Sequence, residues 1–366
     1  MLPLASALRA AGHDIRWAVA AEAWPALEAA GFTATPAGLP QAERLAEYYR
    51  RYPEARSLRP ADRPDHMFHR MFGAVATPPM LVDVLHLVQE WQPQLVVHDA
   101  ADFAGAIAAA ATGVPHVTHG FGLLTPEVRV RRAGDEVAHL WREQGLEARP
   151  YGGAYDHMYL DIYPPSMRPA GADTHVPRTQ SLRPATAAAV AEDHPQSRPL
   201  VYVTFGTVFN DVGSPFADAV AGVARLPVDV LVTIGRNGDP AALGDVPENV
   251  RVEHYVPQAE VLPRCAAVVS HGGSGTLLAG LAHGLPQLAL PQGADQFLNA
   301  AQTAAVGAGV ALLPGESGAA EVSDALGRLL GESSYRLAAQ AVARDIAAMP
   351  GPDEVAVVLG ELAGSG

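Results

Sequence analysis

The sequence predicts an α/β protein built from two doubly wound domains, and three observations carry that reading. Short apolar strands alternate with Ala-rich amphipathic helices in both halves of the chain, the pattern of parallel sheets with right-handed crossovers. The 366 residues exceed one ordinary core and suit two. Between the halves, residues 164–199 carry Pro164, Pro165, Pro169, Pro177, Pro184, Pro195 and Pro199 with little periodicity, which is linker composition.

In the first half, apolar and β-branched runs predict strands over 15–19, 95–98 and 116–119, with helices near 21–30, 79–91 and 101–112. Residues 2–11 place Leu2, Leu4, Ala5, Leu8 and Ala11 on one helical face, a core-facing helix. In the second half, strands are expected over 200–204, 228–233, 250–255, 267–270 and 287–290. Helices are expected near 215–225, 275–283, 296–306, 321–330 and 334–349. The less regular region 41–80 carries Tyr48, Tyr49, Tyr52, Met67, Phe68, Met71 and Phe72. These rings read either as core packing, the more common fate of any single one, or as an apolar wall for a bulky substrate.

Composition narrows the function. Hydrophobic residues make up 49% and charged residues 17%, which describes a globular chain with large cores. The net charge of −14 is opposite in sign to that of a phosphate-backbone binder, so nucleic acid is not an expected partner. All 25 basic residues are Arg, a compositional bias that carries no function. The single cysteine, Cys265, forbids an intrachain disulfide, makes the reducing cytoplasm the default setting, and reads as a buried thiol among apolar neighbours. No run of eighteen apolar residues occurs, so stable membrane insertion is not expected, and the opening residues lack the basic cluster of a signal peptide.

The chemistry concentrates in residues 269–300. A strand runs into His271-Gly272-Gly273-Ser274-Gly275-Thr276 and a helix follows at once. Glycines at such a turn let a ligand approach the backbone, and the first-turn N–H groups with the helix dipole favour an anion. Alone, this is only a tight turn. A second strand ends at Pro291 and opens onto Gly293-Ala294-Asp295-Gln296, where Asp295 and Gln296 offer paired polar groups to sugar hydroxyls; helix capping by Asp295 is the competing role. Tyr255-Val256-Pro257-Gln258 and Thr204-Phe205-Gly206-Thr207 end two further strands, and strand C-termini line the ligand crevice of such sheets.

Residues 255–299 closely resemble the donor-binding signature of inverting, UDP- or TDP-sugar-dependent glycosyltransferases of the GT-B fold, in particular the actinobacterial natural-product branch. The likeness extends more loosely to L-P-L-A-x-A-L-R-x-x-G-H at residues 2–13 and V-V-H-D-A at 96–100. It implies two facing Rossmann-like domains with a cleft between them. Residues 1–190 would bind the acceptor, 191–350 the donor, and 351–366 would form a helix returning to the first domain. It implies His271 at the diphosphate with Gly273, Gly275 and Thr276 at its oxygens, assisted by Thr207. Val256 and Gln258 would meet the base and ribose, and Asp295 and Gln296 the sugar. The implied partners are the nucleotide sugar and a hydrophobic acceptor such as a polyketide aglycone, and a homodimer is compatible with it.

Such enzymes displace the nucleoside diphosphate in one inverting step, with a base taking the acceptor proton. No Asp-x-Asp occurs, so no metal and no resident cofactor are expected. By the resemblance, the base is a His in a loop after a first strand, ahead of the helix that matches residues 2–11. Neither strand nor loop precedes that helix here, so Asp99, which matches the residue orienting that His, stands without its partner. His119 is a substitute base or, more simply, an acceptor contact. The sequence thus admits two readings: a transferase, or else a non-catalytic sugar-nucleotide-binding homologue or truncated inactive form.

Overall fold

The computed structural model describes residues 1–169, 171, 174–184, 198–206, 214–235, 238–244 and 246–364. It divides into two compact units. Unit 1 comprises Met1–Ile162, Ala170–Leu182 and Pro350–Gly366, and unit 2 comprises Tyr163–Pro169 and Arg183–Met349.

Unit 1 has strands β1 (Arg16–Val19), β2 (Thr33–Pro36), β3 (Val96–Asp99), β4 (His116–His119), β5 (Met158–Asp161) and β6 (Thr179–Ser181). They form two separate parallel sheets, β1-β2 and β3-β4-β5-β6. A cavity of about 120 Å³ lined by Ile15, Trp17, Trp91 and Val97 lies between the edges of β1 and β3. On one side of the larger sheet, the helices Thr77–Trp91, Ala104–Thr112 and Glu127–Glu143 bury Leu81, Val84, Phe103, Ile107, Val137 and Trp141 in a common core. On the other side, Leu4 and Leu8 of the helix Leu2–Ala10 meet Val355 and Leu359 of the terminal helix Pro352–Gly364, together with Val117 and Leu160 of the sheet.

Unit 2 has strands β7 (Leu200–Thr204), β8 (Asp229–Thr233), β9 (Val250–Glu253), β10 (Cys265–Ser270), β11 (Gln287–Ala289) and β12 (Gly309–Ala311). All pair in parallel in the order β12-β11-β10-β7-β8-β9. The strands are enclosed on both faces, which is why they read as nearly unbroken apolar runs. Val201, Val203, Val230, Val232 and Val269 face one core with the helix Ala319–Gly331, and Tyr202, Leu231 and Val268 face another with Leu285.

The stretch expected to be a structureless linker needs correction. It contains β6, which adds to β5 through Tyr159↔Thr179 and Leu160↔Gln180, and the chain passes between units at 162/163, 169/170 and 182/183 rather than once near 190. The membrane reading also needs refinement. One helical run among the described residues, Arg63–Trp91, is long and apolar enough by length and composition to span a bilayer. Arg63, Asp65 and Asp83 interrupt it as a sequence run, and its Phe68, Met71, Val75, Leu81, Val84 and Val88 are packed into unit 1.

Candidate functional site

In unit 2 the strand order reverses direction between β7 and β10, and a ligand crevice forms outside the carboxyl ends of strands at such a switch point. Two segments meet there: Phe205-Gly206 after β7 and His271–Thr276 after β10. Gly272 turns the chain with φ of +80°. The helix Ser274–Ala282 then begins at Gly273 with no side chain capping it, so its first N–H groups have no side-chain partner. A Cβ at Gly275 would meet nothing within 4 Å, and Gly275 is exposed. The protein therefore does not fill the space in front of these donors.

His271 stands beside that turn, buried to 9% exposure. Its ring explains two glycines: a Cβ at Gly273 would fall 2.5 Å from Nε2, and one at Gly206 2.8 Å from Cε1. Nδ1 is enclosed without a hydrogen-bond partner. Burial lowers the His271 pKa, opposed by the charge of Asp295 and by the Thr204 main chain. An anion brought to the ring would push it back up.

Asp295 sits at the first position before the helix Gln296–Ala305 but does not cap it. Its Oδ2 instead accepts hydrogen bonds from Ser274 Oγ at 2.6 Å and Asn299 Nδ2 at 2.8 Å. Asn299 Nδ2 also reaches the Gly272 carbonyl at 2.9 Å and Ser274 Oγ at 3.0 Å. Because Ser274 gives its proton to Asp295, its oxygen accepts from Tyr163 Oη at 3.0 Å. Two buried side chains, Ser274 and Asn299, thus hold Oδ2, with Tyr163 bracing Ser274 from behind, and Oδ1 takes part in none of these bonds. Ala294 immediately before it has φ of +52°, left-handed backbone that a non-glycine residue adopts at a cost of about 1 kcal/mol.

Other residues of the expected set take varied positions. Gln258 Nε2 donates to Thr276 Oγ1 at 3.2 Å, joining the turn after β9 to the turn after β10. Val256 is half-buried against the core of Tyr202 and Val261. Gln296 is buried, and its Oε1 accepts from the Gln292 and Gly293 N–H groups at 2.7 and 3.0 Å. That role fixes the Pro291 turn and commits the side-chain oxygen. Thr207 lies outside the described residues. Sequence reasoning missed Asn299 and Tyr163. Asn299 is one helical turn after Asp295, a detectable spacing; Tyr163 is distant in sequence and had no signal.

In unit 1, Asp99 ends β3 and pairs in register with His119 at the end of β4. Asp99 Oδ1 accepts the Ala101 N–H at 2.8 Å. Burial pushes its carboxyl up to about 6 despite that hydrogen bond. His119 Nδ1 donates to the Gly120 carbonyl at 2.7 Å, and burial holds the ring down at about 4, so it is neutral with the lone pair on Nε2. The tyrosines of 41–80 form a cluster of their own with Met71, while Phe68 packs against Phe103 in the main core of unit 1. Tyr48 and Met71 are buried and the Tyr48 hydroxyl lies 2.7 Å from His66 Nδ1, which makes core packing the role of these two. Tyr49, Tyr52 and Phe72 are half-buried. Cys265 is a buried thiol, pushed up to about 12 by burial.

A crevice at the switch point of a six-stranded parallel unit, in a chain with a second parallel unit, is the arrangement expected of the GT-B class. Residues 6–206 match the N-terminal domain, and residues 217–362 the C-terminal domain, of the "Erythromycin biosynthesis protein CIII-like" family. L-demethylnoviosyl transferase of Streptomyces niveus is 33% identical over 97% of this chain and 92% of its own length. The structure of glycosyltransferase VinC in complex with dTDP superposes with a TM-score of 0.76 at 28% identity, covering 100% of this chain and 96% of VinC. Spinosyn rhamnosyltransferase SpnG, complexed with spinosyn aglycone, gives a TM-score of 0.78 at 26% identity over 98% of this chain and 95% of SpnG. The chain belongs to the erythromycin biosynthesis protein CIII-like family of glycosyltransferases.

Proposed function

We propose that unit 2 binds a UDP- or TDP-sugar and that the chain transfers its sugar, with inversion, to a hydroxyl of a hydrophobic natural product such as a polyketide aglycone. The observation that carries the donor reading is the uncapped helix Ser274–Ala282, with open space at Gly275 and a held carboxylate at Asp295 beside it. The diphosphate would lie on the N–H groups of Ser274, Gly275 and Thr276 with His271 alongside. The negative charge that grows on the leaving group would then meet fixed donors. Asp295 Oδ1 would accept from sugar hydroxyls. Gln258, tied to Thr276, would extend towards the ribose, with Val256 and Thr207 completing the nucleotide contacts.

That donor set supplies the charge compensation a metal would otherwise give, and we infer a reaction without metal or resident cofactor. In unit 1, Asp99 is the candidate for the base-side carboxylate. With its pKa near 6 it is ionised at pH 7 yet more basic than an ordinary aspartate. His119, neutral and in register with it, would contact the acceptor. A cytoplasmic setting agrees with the unpaired buried thiol of Cys265. Titrating thymidine and uridine diphosphates by calorimetry, then assaying glycoside from TDP-sugars and a panel of polyketide aglycones, tests the reading. Saturable nucleotide binding with product formation is expected. Absence of binding by either diphosphate would refute the donor site, and binding without turnover would favour the non-catalytic homologue.

A further inference from the structure

At the start of the helix Ser274–Ala282, a tyrosine from a distant part of the chain closes a set of buried hydrogen bonds. Tyr163 follows β5 by two residues, is the first residue of unit 2, and is fully buried. Its backbone has little freedom. Pro164 confines the residue before it to extended conformations, Pro165 opens the short helical turn Pro165–Met167, and Met167 is itself fully buried. The phenol is thus carried by a stiff, anchored segment, and its hydroxyl meets Ser274 Oγ at 3.0 Å.

That contact uses up the bonding capacity of the serine. The single hydroxyl proton goes to Asp295 Oδ2 at 2.6 Å, and the two lone pairs receive Asn299 Nδ2 at 3.0 Å and Tyr163 Oη. With donors on both lone pairs, the proton is directed at the carboxylate. It is therefore not available to a phosphate, although Ser274 stands in the first turn of an uncapped helix; to a phosphate the residue offers its N–H. The network is also dry. Tyr163, Ser274 and Asn299 are all buried, so deleting one hydroxyl leaves little room for a replacement water.

We propose that Tyr163 is a positioning residue for the sugar end of the donor site. By committing the Ser274 hydroxyl it orients the Asp295 carboxylate, and Ser274 serves that carboxylate through its side chain rather than the diphosphate. The proposal rests on the donor reading given above. Without Tyr163 Oη, a buried lone pair on Ser274 is left unmatched, and the hydroxyl and the carboxylate it holds are free to turn. The backbone N–H groups at the helix start stay where they are, so the loss falls on the sugar and not on the diphosphate.

The test is a double-mutant cycle in the full chain, using thymidine or uridine diphosphate for binding and the nucleotide sugar and aglycone that give product for turnover. Tyr163→Phe deletes one oxygen and keeps the ring in place. It is expected to lower kcat/KM for the nucleotide sugar about tenfold, while diphosphate affinity by calorimetry stays within about twofold. Ser274→Ala cuts the same link from its other end and is expected to give the same pair of results. In an Asp295→Ala background neither substitution should lower kcat/KM by more than about a further twofold, because the group they act on is gone; a purely structural role would multiply. A folded Tyr163→Phe with kcat/KM within about twofold of the unmodified chain overturns the proposal. So does a matching loss of diphosphate affinity, and so does a full tenfold loss on top of Asp295→Ala. If Tyr163→Phe does not fold, Ser274→Ala decides by the same criteria. An unmodified chain that binds no diphosphate or gives no product refutes the donor reading and this proposal with it, a result distinct from an active chain indifferent to Tyr163→Phe.

Discussion

The two units use the same strand-turn-helix device and finish it in opposite ways. After β3 in unit 1, the turn satisfies itself: Asp99 Oδ1 takes the Ala101 N–H and Asp102 Oδ1 takes the Ala104 N–H at 2.9 Å, at the start of the helix Ala104–Thr112. A Cβ at Gly105 would fall 2.6 Å from the His98 Cβ, so the helix is pressed onto its strand. After β10 in unit 2, no side chain caps the helix, Gly275 faces open space, and the nearby carboxylate is held by other residues. One turn is closed by its own side chains and the other leaves its backbone donors without a side-chain cap. What separates them is where the backbone donors and carboxylate oxygens go, not the presence of glycine.

Breaking the open turn should affect chemistry most. If the carboxylate serves the sugar and not the phosphate, as proposed, Asp295→Ala is expected to lower kcat/KM about 100-fold or more while nucleoside diphosphate affinity stays within about threefold. Parallel loss of diphosphate affinity would make Asp295 a structural support of the turn. His271→Ala is next, with diphosphate affinity expected to fall about 30-fold, the roughly 2 kcal/mol of a hydrogen bond to a charged group, read by calorimetry.

The closed turn should reveal itself in stability. Asp99 has a folded pKa raised by burial from 3.8 to about 6. As pH rises through that window the unfolded chain releases a proton that the folded chain keeps, so stability falls, and above it the loss is constant. That rise corresponds to about 3 kcal/mol at most, so Asp99→Asn should gain up to that amount at pH 7 and flatten the pH dependence in urea melts. An unchanged slope between pH 4 and 6 would show that the carboxyl is not buried as described. Gly105→Ala should cost about 1–3 kcal/mol through overpacking against His98, measurable as a lowered midpoint in the same melts. Smallest of all, Ala294→Gly should raise Tm slightly by relieving the left-handed backbone, a gain below about 1 kcal/mol. A falling Tm would mean that the Ala294 methyl group packs against something that matters more than the strain.

Much of this was legible in the sequence, for definite reasons. The strands of unit 2 are buried on both faces, so runs such as Leu200–Thr204 and Cys265–Ser270 stand out as apolar and β-branched. Strands β2, β6 and β12 carried no such mark, whereas β5, Met-Tyr-Leu-Asp, is an apolar run that sequence reasoning passed over. Thr33–Pro36 ends in proline, Thr179–Ser181 is wholly polar within a proline-rich stretch, and Gly309–Ala311 is three small residues; each exists because a neighbouring strand offers its edge. The helix Glu127–Glu143 did have a readable stripe, Val130, Ala133, Val137 and Trp141, hidden among Arg and Glu on its outer face. At the site, glycine turns and strand ends marked the location, because chain order fixes them. The partners of Asp295 were not marked. Whether a carboxylate caps its own helix or accepts from Ser274 and Asn299 depends on side-chain geometry that spacing leaves open, and Gln296, alike in type, proved to hold the turn instead.

The central claim is that the amino end of the helix Ser274–Ala282 is left open for a diphosphate. Gly275→Val isolates it, since a side chain there meets little protein but projects into the space the ligand would take. Calorimetric titration of thymidine diphosphate into this variant and the unmodified chain, with thermal melts of both, gives the most direct answer. The structure predicts an unchanged Tm and at least a tenfold loss of affinity. Undiminished affinity in a folded Gly275→Val would contradict it and place the nucleotide elsewhere.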